Sequence, residues 1–474
     1  MRCSLTVFLI AMSLALVLNM AQADTLAITG ATIIDGTGAD PLRKGTVLVE
    51  NGRIAAVGRS GDVAVPDGAR VIDGKGKFVI PGLMDANLHL FLNLDTETLI
   101  KYEDRYDEII VEAAQITLKS GLTTVFDTWG PRAALVKARD TINAGEVPGS
   151  RIYLAGNIIG FDGPLSADFR GDAAAHFKKS VVKRINDTWE EGTGRRLTWM
   201  GPDEVADVVK DYATRDMDFL KYGSSGHTEM SFISFSGRVQ KAIVDAGHDA
   251  GMTVQVHTTS VESLDMAIEA GVDILTHCEI TGPTVGMPDE TVGKLVERQI
   301  PCSVLPVTKR RIDALKADKP SNFLVPFMVT GRANTKKMID AGAILLLSTD
   351  AGIEHPVMTA ESEVDSITVD QRTAVGEGHF NALVGFEEMG MDPMEILKST
   401  TSHIARAYQL DDEIGTVEPG KIADLVILSS NPLKSATNYR TIDTVIKSGN
   451  IVDRDALPLA PLISNQVPPE PTEE

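Results

Sequence analysis

The sequence of 474 residues predicts an α/β protein, a (β/α)8 TIM-like barrel with a small β-sandwich built from both chain ends. Short strands with turn residues occupy both ends of the chain. Between them, apolar strand-like runs alternate with helix-like stretches of roughly 10 to 15 residues, as in parallel β/α units. The helix-like stretches end in glycine, the usual C-cap before a new strand. A doubly wound sheet is the alternative, but no G-x-G-x-x-G opens a first helix.

Residues 1–23 have the pattern of a secretory signal. Arg2 precedes an apolar run from Leu5 to Leu18, and Ala21-Gln22-Ala23 forms a small-residue cleavage site. The alternative is an uncleaved membrane anchor, but an apolar run of about 14 residues is shorter than the ~20 that span a bilayer. We therefore expect an exported protein, periplasmic or secreted, that leaves the membrane once the signal is removed.

Two distant β-rich pieces predict the sandwich, from residues 24–80 and 412–454. The first contains GTVLVENGRIAAVG, in which Asn51-Gly52 is a hairpin turn, and the second contains GKIADLVIL. The barrel then covers residues 81–411. Residues 455–474 are acidic and rich in proline, which predicts a flexible tail.

Other features bound the functions that are open to this chain. A net charge of −21 argues against nucleic acid as a partner, because phosphate backbones bind clustered Lys and Arg.

Cys278 and Cys302 lie in apolar runs, so we expect two buried, reduced thiols, with a disulfide between them as the alternative. The stretch Gly160–Pro202 is too long for an ordinary connection and predicts a lid over the site.

Polar side chains recur where the apolar runs end. In a parallel barrel these ends meet at one mouth, where such folds place their chemistry. Neutral imidazoles and carboxylates that converge there suit zinc or a similar divalent metal. The polar residues at these ends are Asn87, His89, Lys221, His257, His277 and Asp350, and the imidazole, amide and carboxylate groups among them are the candidate metal ligands.

These residues and their surrounding motifs resemble the amidohydrolase superfamily of metal-dependent hydrolases. The resemblance rests on PGLMDANLH, GLTTVFDTWG, STDAG and EIGTVEPGKIADLVILSSNPL, together with the spacing of Lys221, His257 and His277. It implies a barrel with a two-ended β-sandwich and one or two divalent ions, with Zn as the expected metal. It also implies that Lys221 is carboxylated on its amine; a buried lysine paired with Asp350 is the alternative.

One position departs from the usual family pattern. The first strand carries Asn87 where the family usually has the first histidine of His-x-His. An amide oxygen is a weaker donor than an imidazole, so the outer ion should be held less tightly or be lost. The Asn-x-His form resembles that of phenylurea and thiocarbamate hydrolases.

The resemblance implies hydrolysis of an amide, carbamate or urea C–N bond, with Asp350 as general base and then acid. His227 is the second predicted catalytic residue, for substrate orientation or oxyanion stabilisation, and His355 has the same possible role. An exported dipeptidase or N-acyl amino-acid hydrolase is the alternative, with Arg170, Arg195, Arg196 or Tyr222 as a carboxylate anchor. A non-catalytic scaffold is the third hypothesis. Relatives of this layout also suggest a homo-oligomer acting on a small molecule.

Overall fold

A computed structural model describes residues 25–92, 96–227, 230, 232–318, 324–353 and 374–459. The predicted signal, His355 and the end of the predicted tail lie outside these residues. Within the described ranges, no helix is both long and apolar enough to cross a membrane.

The strands are short and follow the apolar runs of the sequence. They are β1 (Thr25–Ile33), β2 (Leu42–Glu50), β3 (Arg53–Arg59), β4 (Arg70–Asp73), β5 (Phe78–Pro81), β6 (Leu83–Leu88), β7 (Leu122–Asp127), β8 (Arg151–Leu154), β9 (Ile158–Ile159), β10 (Leu220–Gly223), β11 (Val254–His257), β12 (Ile274–Thr276), β13 (Cys302–Val304), β14 (Leu345–Leu347), β15 (Leu425–Leu428), β16 (Ile442–Lys447) and β17 (Asn450–Ile451).

The helices separate most strands from β6 onward. They are α1 (Thr96–Lys101), α2 (Tyr106–Lys119), α3 (Arg132–Asn143), α4 (Gly171–Ala174), α5 (Lys179–Glu190), α6 (Pro202–Tyr212), α7 (Gly237–Asp249), α8 (Val261–Ala270), α9 (Asp289–Arg298), α10 (Lys309–Asp318), α11 (Leu324–Asp340), α12 (Gly378–Glu388), α13 (Pro393–Ser399) and α14 (Ser402–Ala407). Short 3-10 helices cover Arg195–Trp199 and Ala436–Arg440.

Strands from both chain ends form one sheet, in the order β17-β16-β15-β5-β1-β2-β3 with β4 beside β1. Asn51 and Gly52 both have positive φ, 52° and 80°, as the predicted hairpin turn between β2 and β3 requires. Buried side chains from the two ends, such as Ile28 and Ile427, share one core cluster. Folding of this sheet into two sandwich layers stays a prediction.

The middle of the chain forms parallel sheets. One has the order β14-β13-β12-β11-β10-β9 and the other β6-β7-β8. Strands follow one another in chain order, without the reversal that a doubly wound sheet requires. The backbone N–H of Asp350 donates to Asn87 O at 2.9 Å, and that of His89 donates to Ala351 O at 2.9 Å. These bonds lie just beyond β6 and β14 and favour closure of the two sheets. A (β/α)8 barrel, in which the short β8 and β9 would together count as one barrel strand, stays a prediction.

The stretch Gly160–Pro202 has structure of its own, as its length predicts. It contains α4, α5 and a 3-10 helix, and it packs on the rest of the chain through the buried Trp189. The Trp189 ring lies 5.7 Å from Phe91 and 5.5 Å from Tyr106 between centroids. The segment is therefore fixed to the same end of the strands as the predicted site.

Two expectations need correction. Cys278 and Cys302 form a disulfide, with their Cα atoms 6.0 Å apart, so the expectation of reduced thiols is wrong. The reason is strand pairing together with a turn. Leu275 of β12 lies opposite Cys302 of β13, and the chain turns back after β12, so that Cys278 Sγ lies 3.6 Å from the Leu275 carbonyl oxygen. The predicted tail also starts too early, because Leu457 is buried and its carbonyl accepts a hydrogen bond from Lys119 Nζ at 2.7 Å.

Candidate active site

A cavity of about 310 Å³ opens at the carboxyl ends of the parallel strands. It has a polar floor and a largely apolar wall. Five of the six predicted metal ligands line it, together with His227; Asn87 lies buried beneath. The lining residues are His89, Phe91, Leu92, Leu99, Trp129, Ile158, Pro164, Phe169, Arg170, Lys221, His227, His257, His277 and Asp350.

Three histidines and one aspartate converge on the floor. His89 Nε2 lies 2.9 Å from Asp350 Oδ1, and His277 Nε2 lies 3.8 Å from the same oxygen. The His257 and His277 rings are 5.1 Å apart between centroids. Side chains from β6, β11, β12 and β14 are thus brought together although they span more than half of the chain.

Two of these residues occupy a backbone conformation that sequence patterns do not reveal. His277 has φ 64° and Asp350 has φ 51°, each directly or shortly after its strand. The left-handed region is rare for residues other than glycine, and such strain costs about 1–3 kcal/mol at sites where the surroundings enforce it. The folded state therefore carries this energetic cost at two residues whose side chains line the cavity.

Lys221 and Asn87 belong to one buried polar network. Asn87 Oδ1 accepts hydrogen bonds from Lys221 Nζ at 2.8 Å and from the Thr128 hydroxyl. Asn87 Nδ2 donates to Asp350 Oδ1 at 2.8 Å and to Ser348 Oγ at 3.2 Å. No direct ion pair joins Lys221 to Asp350 within the part of the chain that the structure describes. Asn87 thus places its amide between Lys221 and Asp350.

Burial sets the protonation of the floor. Desolvation lowers the pKa of His89, lowers that of His277 to about 4 and lowers that of His257 well below its usual range. Burial also lowers the pKa of Lys221 to about 8. Burial alone would raise the pKa of Asp350, but neighbouring His277, His89 and Lys221 hold it well below its usual value. The floor therefore holds neutral imidazoles beside a carboxylate.

This donor set fits a divalent metal ion. Metal binding needs neutral imidazole and ionised carboxylate, the forms that the pKa shifts favour. His257 Nε2 is buried at the cavity and has no hydrogen-bond partner among the described residues. Among the residues that the structure describes, no group of three His, Cys, Asp or Glu side chains lies close enough together to hold a metal ion. The residues fit a divalent metal ion by their chemistry and by their protonation.

The predicted lid forms one side of the cavity. Pro164, Phe169 and Arg170 line it. The Phe169 ring stacks on Trp129 at 4.0 Å and on the His227 ring at 4.5 Å between centroids. Sequence patterns did not single out Phe169, because a lone aromatic residue in a polar loop carries no periodic signal.

The candidate carboxylate anchors and the remaining histidines either line the cavity or lie away from it. Arg170 lines the cavity, whereas Arg195 and Arg196 contact Asp168 and the Gly192 carbonyl outside it. Tyr222 is buried and donates to Gln240 Oε1 at 3.0 Å, so it is a core residue. His379 is buried against the Ser120 carbonyl and His248 contacts Asp273, and neither lines the cavity.

Thr128 is the polar residue that sequence reasoning missed. It follows β7 directly, accepts a hydrogen bond from Lys221 Nζ at 2.9 Å and donates to Asn87. Its position at a strand end is the same signal that marks the candidate metal ligands. A threonine is not a usual metal ligand, so a search for ligands does not select it.

Comparison with known proteins agrees with this geometry. The model of the amidohydrolase family matches residues 78–452. An imidazolonepropionase from Geobacillus sp. (strain WCH70) is 24% identical over 433 residues, covering 87% of this chain and 90% of its own. A solved structure of molinate hydrolase is 34% identical with a TM-score of 0.89, covering 95% of this chain and 99% of its own. A phenylurea hydrolase B structure is 36% identical with a TM-score of 0.88, covering 94% and 100%. The chain belongs to the amidohydrolase family.

Proposed function

We propose that this protein is a metal-dependent hydrolase that cleaves the C–N bond of an amide, carbamate or urea. The observation that carries the proposal is the convergence of His89, His257, His277 and Asp350 on the floor of one cavity. Membership of a hydrolase family supports it. Relatives named for molinate and for phenylurea, each more than 30% identical, support small neutral carbonyl compounds as substrates.

His89, His257, His277 and Asp350 would hold the metal, with Zn as the first choice and Lys221 as a further ligand if its amine is carboxylated. When bound, the ion supplies Lewis acidity that activates water and polarises a carbonyl. Asn87 contributes less to metal binding than its position in the motif suggests, because its amide already bonds Lys221, Thr128 and Asp350. One strongly held ion is therefore the expected state.

Asp350 is the proposed proton carrier. Its pKa is held well below the usual range, so it is ionised at neutral pH and can accept a proton from water. Asn87 Nδ2 donates to its Oδ1, which helps to fix the carboxylate at the floor. The proton that Asp350 receives can then pass to the leaving nitrogen, because one group can act as base and then as acid.

The cavity wall favours a substrate with an apolar group. Phe91, Leu92, Leu99, Ile158 and Phe169 line the cavity beside the polar residues. Burying apolar surface contributes about 25 cal/mol per Å², so an aryl or alkyl substituent would gain affinity there. A cavity lined by both polar and apolar side chains suits a carbonyl group that carries a hydrophobic substituent.

Arg170 favours a second candidate, an exported dipeptidase or N-acyl amino-acid hydrolase. It lines the cavity and is cationic, and a guanidinium matches a carboxylate in geometry and charge. Purified protein should therefore be offered neutral anilides, carbamates and ureas beside N-acyl amino acids, after bound metal is measured. Turnover confined to the neutral set supports the main proposal; turnover confined to the acids supports the second. Absence of metal and of activity after Zn is added would favour the scaffold hypothesis.

Asp350→Asn tests the proton role. The amide cannot accept a proton from water, so we expect turnover to fall by at least about 10³-fold while the protein stays folded. Metal content by mass spectrometry and circular dichroism separate this loss from unfolding. Asp340→Asn, on the surface of α11 beside Lys336, is the matched control. An active Asp350→Asn enzyme would remove Asp350 from the mechanism.

We also propose that the protein is exported. Support comes from the signal-like residues 1–23 and from the Cys278–Cys302 disulfide, because disulfides persist in oxidising compartments. Cell fractionation of the native strain, with a blot for the mature chain, tests this proposal.

A further inference from the structure

The orientation of His227 has a consequence for the substrate. Its Nδ1 lies 2.9 Å from the backbone carbonyl oxygen of Asp168. A carbonyl oxygen can only accept, so Nδ1 must carry the hydrogen. In a neutral imidazole the other ring nitrogen is then an acceptor. Nε2 of His227 can therefore accept a hydrogen bond and cannot donate one in this form.

The tautomer is fixed because the Asp168 carbonyl is itself held in place. The Asp168 carboxylate accepts the backbone N–H of Asp162 at 3.1 Å and pairs with Arg195 at 3.1 Å. The side chain of Asp168 is buried. Phe169 then stacks on the His227 ring at 4.5 Å. Two adjacent residues of the covering segment thus set both the tautomer and the plane of the imidazole.

His227 lies beside the proposed reaction centre. It lines the cavity, and its ring centroid is 5.9 Å from that of His257. Phe169 packs against the His227 ring and itself stacks on Trp129, so the ring has little freedom to turn. The other acceptor on the floor, Asp350, already receives a hydrogen bond from Asn87.

We infer that His227 accepts an N–H of the substrate, and that the enzyme prefers substrates with an N–H next to the carbonyl carbon. The preferred class is then secondary amides and carbamates or ureas with at least one N–H. The inference rests on the proposed function for the identity of the reacting bond. It makes His227 an orienting residue and argues against oxyanion stabilisation, which needs a donor.

The test compares 1,1-dimethyl-3-phenylurea with its analogue methylated on the phenyl-bearing nitrogen. Wild-type enzyme should show kcat/KM at least about tenfold higher for the N–H compound, as expected when a half-buried acceptor in the cavity loses its donor. His227→Phe keeps an aromatic ring against Phe169 but removes the acceptor. In this variant the ratio should fall below about threefold, by loss of activity on the N–H compound alone.

His227→Gln keeps an acceptor oxygen and should retain part of the preference. His248→Phe, a histidine on the surface of α7 outside the cavity, is the matched control and should leave the ratio unchanged. Circular dichroism checks that each variant is folded. If His227→Phe lowers activity on both ureas by the same factor, the hydrogen bond does not exist and the inference fails.

Calorimetric binding of the two ureas to the same proteins separates this inference from the proposed function. If neither urea is hydrolysed but wild type binds the N–H compound about tenfold more tightly and His227→Phe does not, the inference stands and the reaction is wrong. If both ureas are hydrolysed with the same ratio in wild type and variant, the reaction stands and the inference is overturned. Failure to bind either urea overturns the inference as well.

Discussion

Thr128→Val should destabilise the protein because it removes one hydroxyl from the network under the cavity. Thr128 is fully buried, accepts from Lys221 Nζ at 2.9 Å and donates to Asn87 Oδ1. Valine has nearly the same shape, so no cavity forms. A hydrogen bond to a charged group contributes about 1.5–3 kcal/mol and a neutral one about 1 kcal/mol. After the lower desolvation cost of valine is subtracted, we expect a loss of about 2 kcal/mol in the free energy of unfolding.

Thr128→Ser is the matched variant, since it keeps the hydroxyl and loses only a methyl group. Its expected cost is about 1 kcal/mol, from the removal of buried apolar surface. Urea unfolding of metal-free protein, followed by circular dichroism, measures both variants. The network predicts that valine costs more than serine. If serine costs more, packing around the methyl group outweighs the hydrogen bonds and the account of the network is wrong.

Three further predictions follow from single features of the structure. Burial raises the pKa of Asp127 from 3.8 to about 7, so the folded state binds one more proton than the unfolded state between these pH values. The free energy of unfolding should therefore fall by up to about 4 kcal/mol as pH rises through this window. Asp127→Asn should flatten that part of a pH series of urea unfolding curves. Opening the Cys278–Cys302 disulfide, with a sequence separation of 24, should cost about 3–4 kcal/mol, and a double Cys→Ser variant that melts like wild type would contradict this. Arg170→Gln should leave kcat/KM for neutral amides within about twofold, whereas a rise in KM confined to N-acyl amino acids would favour the second candidate function.

The polar residues at the ends of apolar runs were enough to identify most of the residues on the floor of the cavity. His89, His257, His277 and Asp350 each follow an apolar run, and the carboxyl ends of parallel strands converge. The sequence could therefore predict that these residues meet, and the structure brings them to one cavity. It could not predict that His277 and Asp350 adopt positive φ, because nothing in the residue type signals that conformation.

Residues supplied by irregular segments were not predictable. Phe169 and the Asp168 carbonyl come from the long connection after β9, which has no periodic pattern to fix their direction. The apolar neighbours of Cys278 and Cys302 predict reduced thiols, but the register of β12 with β13 and the turn after β12 bring the two sulfurs together. Register depends on contacts between distant parts of the chain, so local sequence could not reveal it.

The amino-acid sequence by itself determined the alternation of strands and helices, the two-ended β module and the set of polar residues at strand ends, because periodicity and turn chemistry are local properties. Only the tertiary structure decided which hydrogen bonds those residues form. It placed the Asn87 amide between Lys221 and Asp350, and it fixed the tautomer of His227 through a backbone carbonyl from another segment. Hydrogen bonds between residues far apart in the chain depend on distances of a few tenths of an ångström, and only the packed fold sets those distances.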